Sequence, residues 1–282
     1  MRNNLQILVT NDDGYQAKGI QTLARIMQRF GNVTVVAPKI HQSGMSLAVS
    51  MGCKAIAAKA LGKREGADWY YVDATPSSCV KFGIDNILAN ARPDVVVCGI
   101  NHGSNAATGA NYSGTIGAAE EAAINRIPGI GVSLTSMDPD ADFSVVETFF
   151  PDLFEKLMGN LPERFGIFYN INFPNLPVSR IRGVRVGHQG IGHWEREFQP
   201  WDVSFFTRMG IKPEDFGQTS NPTREEGESL YMMVGDFVDD SPASDRFADH
   251  HLLEDGYISI VPHNLDFTDY RELERLQPLF NK

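Results

Sequence analysis

The stretch Ile7-Leu8-Val9-Thr10-Asn11-Asp12-Asp13-Gly14 constrains this chain more than any other. Its apolar run has the length of a strand rather than a helix. Such runs are buried on both faces and belong to parallel sheets covered by helices. The run stops at two adjacent carboxylates and a glycine. In open α/β sheets, ligands bind beyond the carboxyl ends of parallel strands. Two acids crowded there repel one another unless a cation neutralises them, which points to a hard divalent metal ion. The plain alternative is a solvated turn or a helix cap, because Asp and Gly favour turns.

Strand and helix signals alternate up to about residue 175. Strands are predicted over Gln6–Val9, Asn32–Ala37, Trp69–Val72, Asp94–Cys98, Gly129–Leu134 and Gly166–Phe173. Helices are predicted over Gly19–Phe30, from Thr75-Pro76 to about Ala91, over Gly114–Asn125 and over Phe143–Met158. Ile20, Leu23, Ala24, Met27 and Phe30 recur at helical spacing. Thr75 before Pro76 is a strong helix start. This alternation implies parallel pairing with right-handed crossovers. The expected fold class is α/β, a doubly wound, Rossmann-like, mostly parallel sheet. No G-x-G-x-x-G follows the first strand, which disfavours a nicotinamide or flavin cofactor.

Residues 1–175 therefore read as a catalytic core. Residues 176–282 read as an extension with extended hairpins, strands at Tyr231–Val238 and Tyr257–Val261, and a terminal helix at Arg271–Phe280. Trp194, Phe198, Trp201, Phe205 and Phe206 give this extension an aromatic content that suits oligomer contacts. The net charge of -10 argues against a nucleic-acid polymer as partner. It is compatible with a small phosphorylated substrate, because a bound metal inverts the local field. Cys53, Cys79 and Cys98 form no CxxC pair, which disfavours a disulfide framework or zinc site. The lead-in Met1-Arg2-Asn3-Asn4 carries no secretory pattern, and no apolar stretch reaches the ~18 residues of a membrane span. The expected setting is cytoplasmic.

Three further strand-end loops carry polar groups. Ala37-Pro38 leads to His41-Gln42-Ser43-Gly44, in which Ser43 offers a neutral oxygen and His41 reads as a surface or supporting histidine. Asp94–Cys98 runs into Gly99-Ile100-Asn101-His102-Gly103-Ser104-Asn105, where Asn101 offers a hard carbonyl oxygen. Tyr112-Ser113-Gly114-Thr115 opens a helix whose N-terminal N–H groups and hydroxyls suit an anion. The alternative there is a simple cap by Ser113 or Thr115. Thr75-Pro76-Ser77-Ser78 reads as a capped helix start that walls a pocket. Cys79 and Cys98 read as inert core residues.

These motifs, in this order and spacing across Leu5–Leu134, resemble the survival protein E (SurE) nucleotidases. The matching residues are Asn11-Asp12-Asp13-Gly14, Gly19-Ile20, Val35-Val36-Ala37-Pro38, Ser43-Gly44, Thr75-Pro76, Cys79-Val80, Gly99-Ile100-Asn101, Gly103, Asn105 and Tyr112-Ser113-Gly114-Thr115. Asn170-Ile171-Asn172-Phe173-Pro174 and Gly256-Tyr257-Ile258-Ser259-Ile260 look like its later landmarks. The resemblance implies a divalent-metal-dependent phosphatase acting on nucleoside monophosphates. It implies one Mg²⁺ or Mn²⁺ per subunit, held by Asp12, Asp13, Ser43 and Asn101. It places Asn105, Ser113, Gly114 and Thr115 on the substrate phosphate, with Asp12, Asp13 and Asn105 in the catalytic machinery. It further implies a homodimer with exchanged C-terminal segments, often assembled into a tetramer. Lys18, Ser77-Ser78, Ala107 and Asn111 depart from the family pattern in loops that shape the pocket, and Gly187–Asp240 matches poorly. Two other readings keep the same ligands: a non-catalytic, metal-dependent nucleotide-binding module, and a phosphatase for polyphosphate or sugar phosphates. Whether an Asp attacks directly or activates water stays open.

Overall fold

The computed structural model describes residues 4–52, 55–208, 212–216 and 219–281; Met1, Arg2, Asn3 and Cys53 lie outside them. The first part of the chain runs β1 (Leu5–Thr10), α1 (Lys18–Met27), β2 (Gly31–Pro38), β3 (Ala58–Arg64), β4 (Ala67–Val72), α2 (Pro76–Phe82), β5 (Val95–His102), α3 (Gly114–Ile124), β6 (Gly129–Leu134), α4 (Ser144–Met158) and β7 (Ile167–Phe173). The rest runs β8 (Gly183–Val186), β9 (Gly192–Glu195), β10 (Phe198–Pro200), α5 (Val203–Arg208), β11 (Tyr231–Met233), β12 (Asp236–Asp239), α6 (Asp249–Glu254), β13 (Tyr257–Asn264) and α7 (Tyr270–Phe280).

Among the described residues, nine strands form one sheet in the order β3-β4-β2-β1-β5-β6-β7-β13-β8. The central strands β4, β2, β1, β5, β6 and β7 are parallel throughout. The direction of winding reverses between β1 and β5, and that reversal opens the crevice in which such sheets bind ligands.

Side chains of a strand alternate between its faces, and β1 uses both. Ile7 and Val9 join the layer packed by α1 and α4, while Leu8 joins the layer packed by α2 and α3. In the same way β5 sends Val95 and Val97 to one side and Val96 and Cys98 to the other. The helical spacing in α1 buries Ile20, Leu23, Ala24 and Met27. In α4, Phe150 and Phe154 are wholly buried. Each such side chain contributes about 1.5–3 kcal/mol of transfer free energy. On the other face, Ala118, Ala119 and Ala122 of α3 let that helix approach the sheet closely.

The structure corrects three local expectations. The helix predicted from Thr75 to about Ala91 is α-helical only over Pro76–Phe82. Gly83 packs against Leu8 and Val36 so tightly that an added Cβ would lie 2.9 Å from both Leu8 methyls. The chain turns there through a single π-type turn, closed by Leu88 N–H on the Gly83 carbonyl at 2.8 Å. β3 carries no strand signal, because Ala-Lys-Ala-Leu-Gly-Lys-Arg has no sustained apolar alternation; it is an exposed, lysine-bearing edge of the kind that resists edge-to-edge pairing. The strand expected over Tyr231–Val238 is two strands. β11 pairs with β10 and β12 pairs with β9, broken between them at Val234-Gly235.

The expected start signals are present. Thr75 caps α2, with its side chain accepting the Ser78 N–H, and Ser113 caps α3 by accepting the Ile116 N–H at 3.1 Å. β13, from the extension, lies antiparallel to β7 and parallel to β8. No helix among the described residues is long and apolar enough to cross a membrane.

Candidate active site

β1 ends by burying Thr10 and Asn11 completely and Asp12 almost so. The Asn11 amide donates to the Gly14 carbonyl at 2.9 Å, which tightens the turn that carries the acids. The neighbouring loop is sewn to it: Gln42 N–H donates to the Asp12 carbonyl at 2.7 Å, and Tyr15 N–H donates to the Pro38 carbonyl at 3.0 Å. Ser43, next to Gln42, is exposed.

β5 brings the second set of groups. Gly99 has φ of +130°, and a Cβ there would lie 2.2 Å from the Val132 carbonyl oxygen, so no side chain fits. Two residues on, the Asn101 amide nitrogen donates to the Gly103 carbonyl at 2.9 Å, leaving Oδ1 as the oxygen it can offer a ligand. His102 follows and holds Asp13 by its backbone N–H at 3.2 Å and by ring Nδ1 at 2.9 Å, both on Oδ2. His41 Nδ1 stands 3.5 Å from the other Asp13 oxygen.

α3 supplies the third wall. The Thr115 hydroxyl donates to Asp12 Oδ1 at 2.7 Å. Gly114 lies against the same side chain; an added Cβ would meet Asp12 Cβ at 2.9 Å and Pro76 Cγ at 3.1 Å. The helix start therefore sits directly on a carboxylate, where its N–H groups and dipole favour negative charge.

Burial, and then the charge of Asp13, push the Asp12 carboxyl up to about 7 against the bonds from Thr115, which pull it down. The acid pair thus carries an electrostatic cost that a cation would remove. Two carboxylates and an amide oxygen at neighbouring strand ends form an all-oxygen set, which fits Mg²⁺ or Mn²⁺ better than a thiol-seeking ion. The residues present fit a hard divalent metal.

Of the residues singled out from sequence, Asp12, Asp13, Asn101, Gly114 and Thr115 converge around the ends of β1 and β5. Ser113 stands at the same helix end, its oxygen used as the cap and its hydroxyl hydrogen left to donate. Asn105 is turned toward β6 and β7: its amide donates to Ser133 Oγ at 2.8 Å, and its backbone N–H donates to Asn172 Oδ1 at 2.9 Å. Asn172 in turn donates to Asn170, whose amide returns to the Asn105 carbonyl. All of these groups are buried.

Sequence reasoning missed His102 as the partner of Asp13, and passed over Ser133, Asn170 and Asn172 as the frame of Asn105. Its signal was legible: two asparagines two apart in an apolar strand point the same way into a core and need partners. A cleft of about 360 Å³ opens beside Asp13, lined by Gly14, Tyr15, Lys18, Lys39, His41 and His102 among others. Behind the loop after β5, one carboxylate oxygen of the fully buried Asp249 accepts from the N–H groups of Ala107, Gly190 and His250 at 2.9–3.0 Å.

Fold and site together define a Rossmann-like α/β protein with an oxygen-donor acid pair at the topological switch point of its sheet. A family model described as "Survival protein SurE" matches residues 7–196. This chain belongs to the SurE family. It is 37% identical over 275 residues to a protein of Christiangramia forsetii named "5'-nucleotidase SurE", covering 96% of this chain and 95% of that one. It is 34% identical over 272 residues to the protein of the same name from Bacteroides fragilis, covering 96% of each. Its fold matches the crystal structure of the Sure protein from Aquifex aeolicus with a TM-score of 0.74 and 26% identity, covering 97% of this chain and 99% of that one.

Proposed function

We propose that this chain is a divalent-metal-dependent 5′-nucleotidase, releasing phosphate from nucleoside monophosphates. The observation that carries the reading is the contact of the buried Asp12 with the start of α3, which would bring a metal held by the acids and a phosphate held by the helix N–H groups to one point. In this reading Asp12, Asp13, Ser43 and Asn101 hold one Mg²⁺ or Mn²⁺ per subunit. When bound, that ion supplies Lewis-acid polarisation of the phosphate and offsets developing charge.

The chain's own residues do the rest. The Ser113–Thr115 helix end donates to the remaining phosphate oxygens. Thr115 fixes Asp12 by its hydroxyl, and His102 fixes Asp13 by two contacts on one oxygen, so neither acid has to reorganise during the reaction. The network of Ser133, Asn170 and Asn172 locks Asn105 in place at the rim. Positioning of this kind dominates phosphoryl transfer. The cleft beside Asp13 joins an aromatic ring, Tyr15, to two lysines, Lys18 and Lys39. That pairing suits a base and a phosphate better than it suits a sugar phosphate or a polyphosphate chain.

The division at about residue 175 into a catalytic core and an oligomerisation extension belongs to the same reading, as do a cytoplasmic setting and a homodimer with exchanged C-terminal segments that pairs into a tetramer. Exposed Phe198, Tyr231 and Met233 on β10 and β11 support the assembly. The test is phosphate release from a panel of nucleoside monophosphates, polyphosphate and sugar phosphates, with Mg²⁺, with Mn²⁺ and with chelator. Metal-dependent release from the nucleotides that Asp13→Ala abolishes is expected; nucleotide binding with no release from any substrate would overturn it.

A further inference from the structure

We infer that Asp239, His250 and His251 form a second metal site, suited to a transition ion of the zinc class and sharing no residue with the acid-pair site. One ligand atom from each of the three lies within 4.8 Å of the others, a cluster of histidine and carboxylate formed where β12 meets α6. His250 Nε2 is 2.9 Å from Asp239 Oδ1, and His251 Nε2 is 2.7 Å from Asp239 Oδ2. Two imidazoles are therefore aimed by the same nitrogen at the two oxygens of one carboxylate.

The outer nitrogen of His251 is arranged as a metal-bound histidine requires. A ligating imidazole donates its other N–H to a carbonyl or carboxylate, which fixes its tautomer and orientation. His251 Nδ1 lies 2.6 Å from the Asp245 carbonyl oxygen, which can only accept, so Nδ1 carries the proton there and Nε2 faces Asp239. His250 Nδ1 is buried, makes no hydrogen bond, and stands 3.6 Å from Asp249 Oδ1. Gly190 makes room for that ring: a Cβ there would lie 2.2 Å from His250 Nδ1.

Ligands about 2.1 Å from a tetrahedral ion stand about 3.4 Å apart. The present spacings of 2.9 and 2.7 Å, each to a different oxygen of Asp239, are shorter by roughly 0.5–0.7 Å, a change that side-chain rotation of the partly exposed Asp239 accommodates. For Nε2 to bind an ion each ring carries its proton on Nδ1, where the Asp245 carbonyl accepts it from His251 and Asp249 Oδ1 stands 3.6 Å from His250; a second proton, where the ring has one, leaves Nε2 for solvent, and the ion takes both Nε2 atoms and one oxygen of Asp239. Asp239 is 37% exposed while the two histidines are nearly covered, so an ion enters past the carboxylate and keeps an open position for water. Nitrogen donors separate this site from the all-oxygen acid pair: imidazole favours Zn²⁺, Ni²⁺ or Co²⁺ over Mg²⁺. Once filled, the site staples the β9–β12 hairpin to α6.

The probe is ZnCl₂ or CoCl₂ added to the full chain held in excess MgCl₂, so that the acid pair is occupied. Calorimetry is expected to give one Zn²⁺ per chain, with Co²⁺ producing a visible ligand-field spectrum of nitrogen coordination. His251→Ala and Asp239→Asn should each weaken that binding at least about tenfold, and Zn²⁺ should raise the melting temperature of wild type but not of the variants. His193→Ala, an exposed histidine of the same hairpin outside the cluster, should bind as wild type does. Asp239→Asn keeps shape and lies at the surface, so it reports on the site if His251→Ala misfolds. No Zn²⁺ uptake in excess Mg²⁺, or equal affinity in wild type and Asp239→Asn, would overturn the inference.

Discussion

His102 grips Asp13 twice, by backbone N–H at 3.2 Å and by ring Nδ1 at 2.9 Å, both on the same carboxylate oxygen. The ring packs edge-on against Phe143, which helps to hold its orientation. Removing an outer partner of this type costs metal sites about 10–100-fold in affinity or activity. His102→Ala should therefore lose phosphate release by that order and need more Mn²⁺ to reach half-maximal rate. An unchanged Mn²⁺ dependence in the same assay would remove His102 from the site.

Asp12→Asn should stabilise the chelated protein while abolishing metal-stimulated activity. The sign follows from the raised carboxyl. The folded state keeps its proton up to about pH 7, whereas the unfolded chain releases it near its ordinary 3.8. Stability from this group is therefore highest at acid pH, declines as pH rises between those values, and is lowest above the folded value. Thermal melts with chelator should show the variant above wild type at pH 8 and level with it at pH 4, with roughly 2–4 °C for each kcal/mol removed. Equal melts at pH 8 would mean that the acid pair is not strained by its own charge.

Gly114→Ala tests the contact of α3 with the acid pair. Alanine favours a helix by about 1 kcal/mol over glycine, which taken alone predicts a gain. Its Cβ would press on Asp12 at 2.9 Å and on Pro76 at 3.1 Å, and the displacement falls on a carboxylate of the proposed metal site. A shift of that kind can cost about 100-fold in rate. Activity should fall by one to two orders of magnitude with the far-ultraviolet circular dichroism unchanged; full activity would place α3 farther from the chemistry.

Burial beneath Phe168 holds the His263 imidazole below its ordinary range. The unfolded chain takes up a proton first as pH drops below about 6.5, so the stability that neutral His263 contributes is complete above that value and is lost as pH falls toward the folded one. His263→Phe keeps the stacked ring and removes both the titration and a buried nitrogen without a partner. Its melting temperature should depend less on pH between 7 and 5 than that of wild type. Parallel curves for the two proteins would exclude His263 as a source of acid sensitivity.

The assembly reading is tested on β10 and β11, where Phe198 is 69% exposed and Tyr231 57% exposed. Phe198→Asp with Tyr231→Asp should convert the dimer to a monomer by light scattering while leaving the nine-stranded sheet intact. Deleting everything beyond Phe237 would not test the assembly, because β13 fills the sheet between β7 and β8 with Ile258, Ile260 and Val261.

Much of the core was legible because its signals are local. Ile7–Val9 and Val95–Cys98 are apolar runs that only a two-sided sheet can bury, and Thr75-Pro76 and Ser113 announce helix starts within four residues. The acid pair was legible because Asp12 and Asp13 stand where a strand must end. What could not be read depends on partners distant in sequence. α2 stops at Phe82 because Gly83 meets Leu8, some seventy residues earlier, and Asn105 turns toward Ser133 and Asn172 for reasons invisible in its own loop. β3 is an edge, and edges are written in charge rather than in apolar alternation. His102 looked like one more polar residue of a glycine-rich loop until β1 and β5 were placed side by side.

The single oxygen of Asp249 that accepts from Ala107, Gly190 and His250 acts as a common anchor for three segments that otherwise follow separate paths. A tug on the hairpin arrives at the backbone of Ala107, two residues from Asn105. The β9–β12 hairpin is thus mechanically in series with the loop after β5, and a displacement of either is felt by the other.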